Sequence, residues 1–421
     1  MTVPSKPGPS THLCPHPVRN CPDESPIGLT PPFAYGKLPL PLRDERTTRV
    51  SRSFGRTQSQ ERSDTVPGVD DGIRFPAPKL RAWTEQVFQK IGVAKEDAVL
   101  LTDSLIEANL RGVDTHGITR MLCVYVKRMQ VGVVNPKTEL KVIRERSSTA
   151  LIDCKNSIGQ VASHCAMRMA IEKAKQTGVA FVATTHSNHY GAAAYWAMMA
   201  LPHGMIGFSA TNAPATVAPT GGRTAMLGTN PFAIAIPAGQ EQSMVLDLAT
   251  TVVARGRILL YAKQDKPLEP GWAFDQQGRP TTDAQAALKG LLAPIGGYKG
   301  YGIALAIDLL CGVLTGSKYG AHFPGFLADN MKDPTDVGSI FAAINVDSFM
   351  DLPEFAAGMD KAIREIKACD KAEGVRRIYI PGEIEIETKA ERLQNGIPIP
   401  DSIVRDFQAL GQELGVPFPK A

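Results

Sequence analysis

Apolar residues recur at helical spacing early in the chain, first as Leu80, Trp83, Val87, Phe88 and Ile91, then as Leu101, Leu105 and Ala108. Gly92 stops the first of these helices, and the second runs to Leu110. A third follows on Met121, Val124, Tyr125 and Arg128, with Gly132 placed as its C-terminal cap. From about Ser148 the pattern changes to strands alternating with helices. Thr149–Ile152 reads as a strand and Asn156–Gly159 as a turn. The next helix carries Val161, Cys165 and Met169 on one face and ends at Gly178. Val179–Thr185 is a β-rich run, and Tyr190–Leu201 reads as a helix stopped by Gly204. Met205–Ala210, Phe232–Pro237 and Met244–Leu248 read as further strands. Tyr301–Thr315 is the most apolar segment and reads as a buried helix; mixed α/β sequence follows it.

The order of elements predicts an α/β (α+β) chain with a helical N-terminal part and a mixed-sheet domain. Residues 73–147 are expected to form the helical part, packing with C-terminal helices in 300–421, and 148–299 an α/β domain. Residues 1–72 are rich in Pro, Ser, Thr and Arg and lack apolar periodicity, so they read as a disordered extension. Organelle import through that extension is the lesser alternative, because Asp23, Glu24, Asp44 and Glu45 interrupt it and no amphipathic helix is present.

Charge and cysteine content narrow the function classes. A net charge of +4 over 421 residues, with no basic stripe interleaved with aromatics, argues against nucleic acid as a partner. The longest apolar run is too short to span a bilayer and holds Asp308, so no membrane role is expected. Seven cysteines show no metal-type spacing, and Cys123, Cys165 and Cys311 lie in apolar helical patterns, as expected for a reducing, cytoplasmic setting.

Three segments carry chemistry. Arg111-Gly-Val-Asp-Thr-His-Gly-Ile-Thr-Arg120 joins two helices. If the second begins near His116, then His116 and Arg120 share a face at a helix head, where a small carboxylate is well held. His186-Ser-Asn-His189-Tyr-Gly191 lies where a strand ends and a helix begins, a common place for a ligand-facing imidazole in α/β folds. A zinc site is disfavoured because no carboxylate pattern completes one. Gly296-Gly-Tyr-Lys299-Gly-Tyr-Gly302 sets four glycines and one lysine at a helix start, suited to phosphate. It is neither a P-loop nor a Rossmann fingerprint. The turns at Thr211–Pro214, Pro219–Gly222 and Gly228–Pro231 are ordinary loop sequence taken by themselves.

Together these segments resemble the malate/L-lactate dehydrogenase family that includes L-sulfolactate and ureidoglycolate dehydrogenases. The resemblance runs from Ile73 to the C-terminus. It rests on RGVDTHGITR (111–120), HSNHYGA (186–192), Thr211–Pro231, VLDLATT (245–251), GWAFD (271–275), GGYKGYG (296–302) and IPGE (380–383). It implies a non-Rossmann 2-hydroxyacid dehydrogenase fold, a homodimer, and hydride transfer between NAD or NADP and a small 2-hydroxy or 2-oxo acid. It also implies His189 as proton acceptor, with His116 and Arg120 at the substrate. Asp247, Leu248, Ala249, Lys299, Gly382, Glu383 and Ile384 would contact the cofactor. His186 receives no role. Reduction of a cyclic imino acid carboxylate is the alternative within the family. A serine hydrolase lacks its Gly-x-Ser-x-Gly elbow here, and a non-catalytic binding protein is the remaining alternative.

Overall fold

The computed structural model describes residues 72–325 and 330–421. The expected disordered extension, residues 1–72, therefore lies outside the described residues apart from Gly72. The chain enters through a short strand, β1 (Ile73–Phe75), and two helices, α1 (Ala77–Lys90) and α2 (Lys95–Leu110). A 3-10 turn (Asp114–His116) leads into α3 (Ile118–Gln130). Then come β2 (Lys141–Glu145), β3 (Thr149–Asp153), α4 (Gly159–Thr177) and β4 (Val179–Ser187). The short helix α5 (Ala193–Met198) precedes β5 (Met205–Thr211), β6 (Phe232–Ile236) and β7 (Met244–Leu248).

An accessory unit follows: α6 (Arg255–Lys263), β8 (Ala273–Phe274), β9 (Pro280–Thr281), α7 (Ala284–Lys289) and β10 (Leu291–Leu292). The chain closes with α8 (Tyr298–Asp308), a π-helical turn (Leu309–Val313) and β11 (Val337–Asn345). Last come α9 (Leu352–Ala368), α10 (Glu383–Asn395), β12 (Ile397–Ile399) and α11 (Asp401–Leu414).

Seven strands form the main sheet in the order β2-β3-β4-β11-β5-β6-β7. Only β3 and β4 run parallel, joined by the α4 crossover; the other neighbours are antiparallel. The central position of β11, far along the chain from its partners β4 and β5, ties the C-terminal third into the sheet. α4 lies close on the sheet because Ala162, Ala166, Ala170 and Ala174, spaced one turn apart, are all fully buried.

A second core joins the chain's beginning to its end. Leu80, Trp83, Val87 and Phe88 of α1 pack with Leu101 and Leu105 of α2 and with Phe407 and Leu410 of α11. β1 pairs with β12, and Trp83 donates its indole N–H to the Val416 carbonyl at 3.0 Å. Each such aromatic or aliphatic side chain contributes about 1.5–3 kcal/mol by leaving water.

Three sequence expectations change. β2 was not anticipated; it is a mostly exposed edge strand with no apolar alternation. The helix expected over Tyr190–Leu201 shrinks to α5, because Gly191 takes a positive φ of 83° and Ala192 is extended. Tyr301–Thr315 is not a buried helix in this chain. It divides between α8 and the π-helical turn, and Ile303, Leu309, Leu310, Val313 and Leu314 are exposed.

Candidate active site

His189 sits two residues beyond the end of β4, on a loop held from both sides. Asn188, buried, donates through Nδ2 to Asn156 Oδ1 and to the Ser157 carbonyl, at 3.0 and 2.9 Å. Trp196, wholly buried in α5, donates its indole N–H to the Tyr190 carbonyl at 3.0 Å. The start of α4 presses on the loop backbone at Gly159. A Cβ there would stand 2.2 Å from the Asn188 carbonyl oxygen and 2.4 Å from that of His189. Only glycine allows that approach.

The second histidine arrives on the 3-10 turn. α3 begins at Ile118, so His116 precedes the helix and does not share a helical face with Arg120 as the spacing suggested. The cause is Asn109, whose Oδ1 captures the Ile118 N–H at 2.7 Å, with Gly117 extended between them. Asn109 Nδ2 also donates to Asp114 Oδ1 at 2.5 Å. Asp114 in turn takes a two-pronged bond from buried Arg392, at 2.8 and 3.0 Å. A charged fork of this kind fixes the turn in orientation as well as position.

These supports bring the His116 and His189 rings into a stack, 5.6 Å between centroids and 18° between planes. Both face a cavity of about 100 Å³ whose other walls include Tyr190, Thr211, Asn212, Pro231, Phe323 and Val337. Behind His189, its Nδ1 lies 2.6 Å from the Tyr125 hydroxyl, which also receives a hydrogen bond from Gln160 Nε2 at 2.9 Å. Burial raises the Tyr125 pKa, so the phenol keeps its proton and locks the imidazole plane. Thr115 Oγ1 stands 2.9 Å from His116 Nδ1 and orients the second ring.

Burial, and secondarily the neighbouring His116, push His189 well below the ordinary 6.5. Burial and then the Arg120 charge lower His116 to about 4. Both rings are therefore neutral near pH 7, the form that can accept a proton. If His189 accepts a proton from an alcohol, kcat/KM for that oxidation should stay level as pH falls from about 8, because the neutral form persists. The acid limb should be centred below 6.5. A limb centred at or above that value would contradict the assignment.

The remaining sequence candidates fall into a second group. Asp247 ends near the head of α5 and accepts the Ala194 N–H at 2.8 Å. Leu248 and Ala249 follow it, and two residues before it Val245 donates to the Pro381 carbonyl at 2.8 Å, which sets Gly382 against Val245. Gly382 holds a φ of 97°, and a Cβ there would meet Val245 at 3.0 Å. The Glu383 carboxylate is committed elsewhere. Burial opposes its charge, but Lys367, the Ile380 N–H and Arg377 together hold its pKa below the usual value. Ile384 is partly exposed beside it.

Lys299 is exposed in the first turn of α8. Its loop is tied to the segment after β7 by the Ile295 N–H bond to the Thr250 carbonyl, 2.9 Å. Thus Pro381 and Gly382 meet β7 at Val245, near its start, and the Lys299 loop is tied to the chain just past its end. Arg120 stands apart, exposed, with its charge felt at His116. His186 turns away to Asp153, 3.1 Å from Nδ1 to Oδ1.

Sequence reasoning missed Tyr125, Gln160 and Asn212. Tyr125 lay on an apolar helix face and read as core; Asn212 read as a turn residue.

Comparison with known proteins places this architecture. The family model for malate/L-lactate dehydrogenases matches residues 75–408. A malate dehydrogenase of Pyrococcus abyssi is 39% identical over 357 residues, 83% of this chain and 97% of the relative. An L-sulfolactate dehydrogenase of Methanocaldococcus jannaschii is 40% identical over 330 residues, 78% of this chain and 94% of the relative. The solved sulfolactate dehydrogenase from Methanocaldococcus jannaschii superimposes with a TM-score of 0.78 at 38% identity, covering 82% of this chain and 98% of that one. A more distant likeness is the delta1-piperideine-2-carboxylate reductase from Pseudomonas syringae pvar. tomato, at 26% identity and a TM-score of 0.72, over 80% of this chain and 99% of that one. The chain belongs to the malate/L-lactate dehydrogenase family.

Proposed function

We propose that this protein interconverts a small 2-hydroxy acid and its 2-oxo acid, with NAD or NADP as the second substrate. The observation that carries this is His189, neutral and ring-locked by Tyr125, facing a cavity shared with His116. In oxidation His189 takes the proton of the substrate hydroxyl, and in the reverse direction it returns that proton to the developing alkoxide. His116 is a second polar contact for the reacting end, and Arg120 supplies charge for the carboxylate from the exposed side. Holding hydroxyl and carboxylate together fixes C2 for reaction and lowers the entropic barrier.

A bound nicotinamide cofactor would supply the hydride chemistry at C2. The residues on β7 and on the two segments tied to it suit such a ligand. Gly382 lets its segment pack against Val245, Gly296 and Gly297 leave open space around the loop, and Lys299 offers an exposed charge. Asp247, Leu248, Ala249 and Ile384 complete the contact set, with Glu383 contributing through its backbone.

Lys299→Ala should raise the cofactor Kd about 10- to 150-fold, the effect of losing one charged hydrogen bond. Substrate KM should barely move. Fluorescence titration of NADH and NADPH into both proteins checks this, and equal affinities with a raised substrate KM would move Lys299 to the substrate.

The exposed apolar residues of α8 and the π-helical turn support a homodimer, since a patch of that kind is covered in most soluble proteins. No helix among the described residues is long and apolar enough to cross a membrane.

The test of the function is a panel of 2-oxo acids assayed with NADH and with NADPH. Consumption of either cofactor with at least one acid is expected. Turnover of cyclic imines alone would favour the second reading, reduction of a cyclic imino acid carboxylate, which the likeness to the piperideine-2-carboxylate reductase supports.

A further inference from the structure

His189 forms part of two cavities, one on each side of its ring. The first is the cavity it shares with His116; the second, of about 20 Å³, is walled by Tyr125, Arg128, Gln160, Asn188 and Thr335 among others. A space of that size holds one water when polar groups surround it, as they do here. Tyr125, Gln160 and His189, which meet at the Tyr125 oxygen, all belong to this rear wall. Among the described residues no carboxylate lines either cavity; the titratable groups beside the ring are His116, Tyr125, Arg128 and Tyr190.

The hydrogen bonds behind the ring run in one direction. Gln160 Nε2 donates to the Tyr125 oxygen at 2.9 Å, so the Tyr125 hydrogen points to His189 Nδ1, 2.6 Å away. The Gly191 N–H also donates to Nδ1, at 3.3 Å, and a backbone donor cannot be reversed. Nδ1 is therefore an acceptor, and the neutral ring carries its hydrogen on Nε2, at the edge away from Tyr125. In this form the ring can give a proton, but it takes a second only by becoming cationic, which burial opposes.

We propose that the Tyr125 hydroxyl passes the proton between His189 and a water in the rear cavity, so that the ring exchanges protons without holding two at once. The inference rests on the dehydrogenase reading. In reduction, as hydride reaches C2, the new alkoxide oxygen takes the Nε2 hydrogen. The Tyr125 hydrogen moves to Nδ1, and the water gives a hydrogen to the Tyr125 oxygen. The hydroxide left behind is favoured by the Arg128 charge and takes a proton from solvent. Oxidation runs the same steps backwards, from the tautomer with hydrogen on Nδ1. Gln160 is a positioning residue that keeps the phenol oxygen in line.

Reduction of a 2-oxo acid across pH tests the relay. Wild-type kcat should stay level from about pH 7 to 9, because the neutral ring is the donor. In Tyr125→Phe the donor must be the cationic ring. Its kcat should drop about 100-fold or more near neutral pH and fall about tenfold further with each added pH unit. Damage to packing alone would lower the rate equally at every pH. A level profile in the variant, or a tenfold slope in the wild type, overturns the proposal.

The wild-type protein alone gives a second test. The 2-oxo acid chosen is one for which deuterium at the transferred hydride slows turnover. Its rate in mixtures of light and heavy water should then curve with deuterium content, since several protons move together. A straight line means a single proton and contradicts the relay. A third test needs no turnover. Nitrogen-15 NMR of the ligand-free protein, with the signal assigned by its loss in His189→Gln, should show a bare Nδ1 and a protonated Nε2. A protonated Nδ1 overturns the proposal. Wild-type protein that turns over no 2-oxo acid defeats the dehydrogenase reading instead, and the nitrogen spectra still decide the tautomer.

Discussion

Replacing His189 with alanine is expected to lower kcat by about 100- to 10,000-fold, the usual range for losing a general acid–base group. The expectation is this large because the site offers no close substitute. Tyr125 retains its proton through burial. His116, the nearest other base, is held by Thr115 on its own turn, 5.6 Å away by ring centroid. Cofactor Kd should change little, since the candidate cofactor residues lie on other segments, 247–249, 382–384 and the Lys299 loop. His189→Gln keeps part of the hydrogen bond to Tyr125 while removing proton transfer, so a melting temperature close to wild type with low kcat would isolate chemistry from folding. Turnover within about three-fold of wild type would remove His189 from its role.

The second large effect is expected at Arg392. Arg392→Met leaves the Asp114 carboxylate buried without its two-pronged partner and should cost about 3–5 kcal/mol in urea unfolding. Because Asp114 opens the turn that carries His116, kcat/KM should fall beyond what reduced stability explains. The double variant Arg392→Met with Asp114→Leu removes both charges and should recover much of the stability, as buried ion pairs often exchange for apolar pairs at little cost. It should not recover activity to the same degree. A single variant within about 0.5 kcal/mol of wild type would show that the pair does not hold the turn.

Much of the sheet is legible in the chain. β3, β4, β5, β6 and β7 begin at the positions their β-branched and apolar runs indicate. β2 is hidden because an exposed edge strand needs no apolar face, and the pairing of β11 with β4 and β5 is a long-range event that no local period records. α8 misleads in the opposite direction, since an apolar helix whose residues stay exposed in one chain carries the same pattern as a buried one. In the site, His116, His189 and Lys299 stand out by residue type within glycine-bearing motifs. Tyr125 and Gln160 do not, because their significance lies in which atoms the fold leaves within hydrogen-bond reach.

The most direct measurement follows the hydrogen at C2. A 2-hydroxy acid from the productive panel, deuterated at C2, is oxidised by the wild-type protein, and the reduced cofactor is then analysed by mass spectrometry and NMR. The label is expected in full on the nicotinamide ring, and His189→Gln should slow its arrival without diverting it. Substrate oxidised with its deuterium lost to water would contradict transfer between C2 and the cofactor, and with it the proposed function.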